Sequence, residues 1–272
     1  MTKGRFAPTP SGDLHLGNVR TAIIAWLHAR ATGGSIHLRI DDLDVDRCKE
    51  EFEFRQLEDL AWLGLTWDGE LLRQSERIDR YTAALEQLRE AGLVYPCFCT
   101  RAEIKAAASA PHGDEGPIYG GTCRALDPSA AEERVAAGER HALRLAVPRG
   151  IERFDDFVHG PVEIDVAATA GDLVLVRSDG VIGYQLACAV DDAQPEMTHI
   201  VRGEDLLPSA AFQRVIMRLL DREPPEYGHV PLMLGDDGAR LAKRHGAITL
   251  REHREHGAAP EDVVGRLAGM FG

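Results

Sequence analysis

Between residues 1 and 95 the apolar positions alternate between two periods. Short apolar runs, one ending at Pro8 and one over residues 35–40, read as strands. Residues 19–31, 48–63 and 75–91 carry apolar side chains at helical spacing, and in the last of these Ile78, Tyr81, Ala84, Leu85 and Leu88 mark one face. Strands and helices in alternation predict a parallel sheet with crossover helices.

From Tyr95 the texture changes. Cys97 and Cys99 lead into an alanine-rich helix, a Pro/Gly loop, Cys123, and then charged helix and short strand signals to Val166. This reads as an insertion between the two halves of the sheet. Residues 173–177 and 181–189, on either side of Asp179-Gly180, predict a β-hairpin. The α/β pattern then returns, with a strand at 199–201, a helix at 208–220 with Ser209 near its cap, and a short C-terminal helix from Pro260. The expected division is 1–95 and 171–235 for the halves of the α/β domain, 96–170 for the insertion, and 236–272 for a basic loop and short helical region.

At 272 residues and 44% hydrophobic content, the chain can build one large α/β domain or two smaller ones. Its start carries no apolar leader and no stretch approaches the ~18 apolar residues of a membrane span, so a soluble, cytoplasmic protein without a membrane partner is expected. Five cysteines, two of them in a tight Cys-x-Cys pair, suit reduced thiols and metal ligation better than a disulfide framework. A net charge of −13 argues against a general nucleic-acid coat; the basic groups at 240–244 and 251–254 leave room for a local RNA footprint.

The most informative run is Arg5-Phe6-Ala7-Pro8-Thr9-Pro10-Ser11-Gly12-Asp13-Leu14-His15-Leu16-Gly17-Asn18. A strand, a loop and a helix with glycine at its start aim backbone N–H groups and the positive end of a helix dipole at one point, which suits phosphate. The dinucleotide glycine pattern and the P-loop pattern are both absent. His15-Leu16-Gly17-Asn18 resembles instead the HIGH motif of class I aminoacyl-tRNA synthetases, and the residues ahead of it resemble the glutamyl branch. The resemblance implies an ATP site at Pro8, His15, Gly17, Asn18 and Lys243. Lys243 lies in Gly238-Ala239-Arg240-Leu241-Ala242-Lys243-Arg244, which resembles the KMSKS loop with Arg240 at the first lysine and Ala242 at the serine. His15 and Lys243, with Mg2+, are the expected catalytic groups, because negative charge spreads over phosphoryl oxygens in the transition state.

Glutamate carries a second carboxylate, and arginine reads carboxylates with a planar fork. Arg5 and Arg202 match the family's arginine positions, Tyr184 its pocket tyrosine, and Ala7 and Thr9 the loop around the substrate, Thr9 standing where serine is usual. Asp41 falls where the family has glutamate facing the substrate ammonium; one methylene fewer moves the carboxylate roughly an ångström. Cys188 stands where an asparagine is usual. Singly, these residues read equally well as surface ion pairs, core or caps.

Cys97, Cys99 and Cys123 with Tyr119 supply three thiolates and a phenol, a set that can close a tetrahedral zinc site or simply be buried thiols. Their spacing resembles the zinc site of glutamyl-type synthetases and their short paralogues, which implies one structural Zn2+ per chain. Cys48 and Cys188 read as core thiols.

The fold expected is therefore α/β: a class I synthetase Rossmann-type parallel sheet, a zinc-containing insertion and a short helical C-terminal region. Only twenty-eight residues follow Arg244, where full-length glutamyl enzymes continue into a helical anticodon-binding domain. This resembles the glutamyl-queuosine tRNA(Asp) synthetase family, short paralogues that attach L-glutamate, with ATP, to the queuosine base in the anticodon loop of tRNA(Asp). The alternatives are a minimal glutamyl-tRNA synthetase charging the tRNA 3′ end and a non-catalytic RNA-binding paralogue.

Overall fold

A computed structural model describes residues 1–107, 118–233 and 249–270. The strands are β1 (Lys3–Phe6), β2 (Ser35–Ile40), β3 (Leu72–Arg73), β4 (Val94–Cys97), β5 (Ala142–Leu145), β6 (Ile151–Asp156), β7 (Gly160–Asp165), β8 (Leu173–Val176), β9 (His199–Gly203) and β10 (Glu226–Val230). The helices are α1 (Leu16–Ala31), α2 (Glu50–Trp62), α3 (Ile78–Glu90), α4 (Arg101–Ala107), α5 (Pro128–Ala136), α6 (Val166–Thr169), α7 (Tyr184–Asp192), α8 (Leu207–Leu219), α9 (Leu250–Glu255) and α10 (Pro260–Gly269).

Strands β1, β2 and β3 pair in parallel, as do β9, β10 and β6, with β7 antiparallel at the edge. The two groups meet where β1 lies against β9: Thr198 N donates to the Lys3 carbonyl at 2.9 Å, and Lys3 N donates to Thr198 Oγ1 at 2.8 Å. The chain leaves β1 for β2 on one side and returns to β9 on the other, so β1 and β9 flank the topological switch point. In open α/β sheets the crevice beyond the strand ends at that point is where ligands bind.

The helical period of 75–91 orders correctly: Tyr81, Ala84, Leu85 and Leu88 of α3 are buried against α7 and α8, while Ile78 at its start is exposed. A second core under α1 gathers Leu14, Val19, Ile23, Leu38, Leu60 and, from the C-terminal helices, Leu250 and Leu267. Strands β4, β5 and β8 form a separate antiparallel sheet; Cys97 ends β4, and Cys123 packs with it. Strands β6 and β7, which fall within 96–170, extend the main sheet through β10.

Two local expectations change. Residues 181–189 are not the second arm of a hairpin; after a single bridge between Val176 and Ile182 the chain turns into α7. Seven consecutive residues of α7, Leu186 to Asp192, are buried, so no polar face marked the helical period. The turn needs Gly183, where a Cβ would stand 2.5 Å from the Val174 carbonyl oxygen. Ser209 does not cap α8 either; it is buried and its hydroxyl accepts from Gln185 Nε2 at 3.0 Å. All five cysteines are free thiols. Among the described residues no helix is long and apolar enough to cross a membrane.

Candidate active site

A cavity of about 610 Å³ opens at the switch point. Its walls are the loop after β1, the start of α1, Asp41 after β2, the end of β9 and the residues after β10. Arg5, Ala7, Pro8, Thr9, His15, Gly17 and Asn18 all line it, and so do Asp41, Tyr184 and Arg202. Lys243, with Arg240 and Ala242, lies outside the described residues. The described residues on either side of 234–248 reach the cavity: Leu232 and Met233 line it, and Thr249 bridges to His15.

The loop is held from below. Asp41 N donates to the Pro8 carbonyl at 3.0 Å and Lys49 N to the Pro10 carbonyl at 2.9 Å. Buried Gln56 of α2 donates from Nε2 to the carbonyls of Thr9 and Gly12. Rigid supports of this kind fix where the loop's outward groups point.

His15 caps α1. Its Nδ1 accepts from the backbone N–H groups of Gly17 and Asn18, and Asn18 Oδ1 accepts from His15 N in return. Two of the N–H groups expected to meet phosphate are thus taken by the imidazole. An Nδ1 that accepts leaves the proton on Nε2 in the neutral ring, so the helix start presents a ring N–H donor to the cavity. Gly17 is required by this arrangement, since a Cβ there would stand 2.9 Å from His15 Cε1.

Beneath the amino-acid end lies a buried charge network. Arg5 donates to Asp192 through Nε and Nη2, at 3.2 and 2.8 Å. Arg39 bridges Asp192 at 2.6 Å and Asp41 at 2.6 Å, and Asp191 takes Arg77, Tyr81 and Gln74. Arg5, Arg39 and Arg77 balance Asp41, Asp191 and Asp192. Burial disfavours the charged carboxylate, yet Arg39 and Arg5 hold Asp192 well below the usual carboxylate range. Asp41 thus meets the cavity already engaged by Arg39 on both oxygens. Cys188, in the asparagine position, sits 3.5 Å from Arg39 Nη2, and burial pushes its thiol up to about 12.

Arg202 differs. It is buried, and its partners are neutral: His229 Nε2 at 3.0 Å, Gln213 Oε1 at 2.8 Å and the Leu206 carbonyl at 3.3 Å. Among the described residues no carboxylate pairs with it. A guanidinium held by neutral acceptors keeps its charge for an incoming anion. Sequence reasoning did not find Arg39, Asp192, Gln213 or His229; the one visible signal was Asp191-Asp192 closing an apolar run.

The cysteine cluster is a second site. The sulfurs of Cys97, Cys99 and Cys123 lie within 4.8 Å of one another, with Cys99 and Cys123 3.4 Å apart. Tyr119 joins them, its hydroxyl oxygen accepting from Cys123 N at 2.7 Å. Against burial, the Phe98 N–H and the neighbouring Cys99 and Tyr119 donors hold the Cys123 thiol below its usual value. Three converging sulfurs and a phenol fit a thiophilic divalent metal such as zinc. The basic group at 251–254 is used internally: Arg251 pairs with Glu58 and Asp59, and Arg254 with Asp59.

Residues 1–271 match the family of tRNA synthetases class I (E and Q), catalytic domain. A glutamyl-Q tRNA(Asp) synthetase of Symbiobacterium thermophilum is 51% identical over all of this chain and 87% of its own length. Another, from Nocardia farcinica, is 49% identical over 99% of this chain and 84% of its own. Among solved structures, a glutamate tRNA ligase of Elizabethkingia meningosepticum in complex with its amino acid superposes with a TM-score of 0.83 at 29% identity, covering 98% of this chain and 60% of that one.

Proposed function

Because this chain belongs to the class I tRNA synthetases (E and Q), we propose that it activates glutamate with ATP, without tRNA, and transfers the glutamyl group to queuosine in the anticodon loop of tRNA(Asp). The observation that carries the activation step is the cavity itself. It combines a ring N–H donor at a helix start with Arg202, buried and held only by neutral acceptors. The acceptor follows from the resemblance to the two glutamyl-Q relatives over 84–87% of their lengths.

In this reading Arg202 pairs with the side-chain carboxylate, Tyr184 closes the wall beside it, and Arg5 and Asp41 shape the floor through the network. Ala7 and Thr9 border the substrate, and Pro8 and the start of α1 at Gly17 and Asn18 border the nucleotide. The α-carboxylate of glutamate is ionised at neutral pH and attacks the ATP α-phosphorus directly. A new Pα–O bond forms as the bond to the bridging oxygen breaks, and pyrophosphate leaves with the electron pair. His15 Nε2–H and Lys243 neutralise the oxygens on which charge builds. A magnesium ion bound with the nucleotide would supply further neutralisation. In the second step a hydroxyl of the queuosine diol attacks the acyl carbon, the acyl C–O bond to the phosphate breaks, AMP leaves with that electron pair, and the hydroxyl proton is released to water. Cys97, Cys99, Cys123 and Tyr119 would hold a structural zinc. A cytoplasmic location suits five free thiols.

Radiolabelled glutamate offered to queuosine-containing and queuosine-free tRNA(Asp) tests the reading. Transfer is expected only to the modified tRNA and to its isolated modified anticodon stem-loop. Charging of unmodified tRNA(Glu), lost when its 3′-adenosine is trimmed, would assign the activity to the tRNA 3′ end instead.

A further inference from the structure

Arg202 does not orient itself. Its Nε donates to Nε2 of His229, and Nδ1 of the same ring stands 2.6 Å from Asp156 Oδ2. Arginine can only donate, so His229 Nε2 must accept, and Nδ1 must carry the ring proton and donate to the carboxylate. Both His229 and Asp156 are buried. Asp156 also accepts the backbone N–H groups of Val158, His159 and His229, which fixes its position against the end of β6.

We infer that the Asp156–His229 pair is a positioning device that sets the plane of the Arg202 guanidinium and so determines selection of a carboxylate over a carboxamide side chain. This rests on the reading of Arg202 as the glutamate contact. A carboxylate in direct contact with Nε would orient the guanidinium equally well but would neutralise it. An imidazole between the two gives the arginine a directional acceptor and keeps the anion one ring away. Gln213 and the Leu206 carbonyl do the same for Nη1 and Nη2. Among the described residues no hydrogen bond or ion pair joins His229 or Asp156 to the loop at Pro8 or to the start of α1, and neither residue lines the cavity, so the nucleotide end is not expected to respond.

Two substitutions separate the ring's two bonds. His229→Gln places an amide oxygen near the Nε2 position and keeps an acceptor for Arg202. His229→Asn keeps a donor for Asp156 near Nδ1 and leaves Arg202 Nε without its acceptor. In ATP–pyrophosphate exchange, His229→Asn should raise the glutamate KM by roughly 10- to 100-fold, leave the ATP KM within about threefold, and erode the preference for glutamate over glutamine. His229→Gln should show a smaller rise in the glutamate KM than His229→Asn, because it keeps the Arg202 acceptor but loses the bond to Asp156 that fixes that acceptor's position. Equal effects of the two variants, or parallel rises in both KM values, would overturn the inference. Ring-15N NMR of the wild type is an independent check that needs no folded variant: His229 must carry its proton on Nδ1, and the opposite tautomer refutes the arrangement. A wild type that does not activate glutamate at all would sink the functional reading instead, whatever the tautomer.

Discussion

His15 Nδ1 accepts the Gly17 backbone N–H at 3.1 Å, so the ring that caps α1 is also the group that α1 presents to the cavity. Cap and donor can be separated. Asparagine is a good helix cap but has no ring N–H, so His15→Asn should keep the melting temperature and lose roughly 10²–10³ in exchange rate. Gly17→Ala should act on the same ring from the other side, pushing it by its Cβ and lowering exchange by roughly 10²-fold, as for a displacement of about an ångström. A Gly17→Ala enzyme with wild-type exchange would show that the ring position is not critical.

Much of this site could be read before folding. The loop from Arg5 to Asn18 is contiguous, and contiguous motifs survive in sequence. Tyr184 and Arg202 needed a family resemblance, because nothing local distinguishes a pocket tyrosine from a core one. The buried network was invisible for a physical reason: Asp156 and His229 are 73 residues apart, and Arg5 and Asp192 are 187 apart. Only the sheet brings them together. Helix α7 reads as a strand in sequence because a run of seven buried residues leaves no helical period. Arg251 and Arg254 looked like an RNA surface because charge in sequence does not reveal its partner.

The cysteine cluster should hold one zinc per chain. Cys99→Ser should release it and lower thermal stability, since metal binding by so small a lobe is folding free energy. Exchange should suffer less than RNA transfer, because none of Cys97, Cys99, Tyr119 and Cys123 lines the cavity. Metal analysis of freshly purified protein decides the matter; a stable, active, metal-free enzyme ends the idea.

Asp59 of α2, fully buried at its side chain, ties down α9 through Arg251 and Arg254. Asp59→Asn should lower stability in urea unfolding by less than the ~3 kcal/mol of a fully buried pair, because both arginines keep partial access to water and Arg251 keeps Glu58. Replacing both arginines by alanine should lower stability too, yet leave the salt dependence of tRNA binding unchanged. A shallower salt slope in that double variant would mean that these side chains contact phosphate.

His229 gives a pH signature. Burial first, and then the Arg202 charge, push its imidazole down to about 4, against the pull of Asp156. His159 adds a small push in the same direction. The unfolded state, with an ordinary histidine near 6.5, then binds more protons between pH 4 and 6.5, so stability rises with pH across that window and is lost as pH falls. The stability difference between wild type and His229→Gln should be constant above pH 7 and move against the wild type by up to roughly 3 kcal/mol on acidification towards pH 4. A difference independent of pH would mean that His229 is not held neutral.

Arg5 and Arg202 both line the cavity, and their surroundings assign them different work. Arg5 is bonded twice to Asp192 inside a balanced network, whereas Arg202 is held by neutral groups alone. Arg202→Gln should therefore collapse the preference for glutamate over glutamine, which an unpaired buried guanidinium sustains at a cost to the wrong substrate on the order of 2–5 kcal/mol, or roughly 30-fold to several thousand-fold. Arg5→Gln should act chiefly on stability, because it leaves Asp192 with Arg39 as its remaining cation. Asp192 is depressed in the folded state, so its stabilisation is complete above the ordinary carboxylate value near pH 4 and is lost as pH falls through its lower folded value. The deficit of Arg5→Gln should accordingly be flat from pH 6 to 8 and shrink only in strong acid. Exchange rates with both amino acids, measured on each folded variant, separate the two roles. If Arg5→Gln erases the preference as completely as Arg202→Gln, Arg5 reaches the substrate carboxylate itself and the division of labour is wrong.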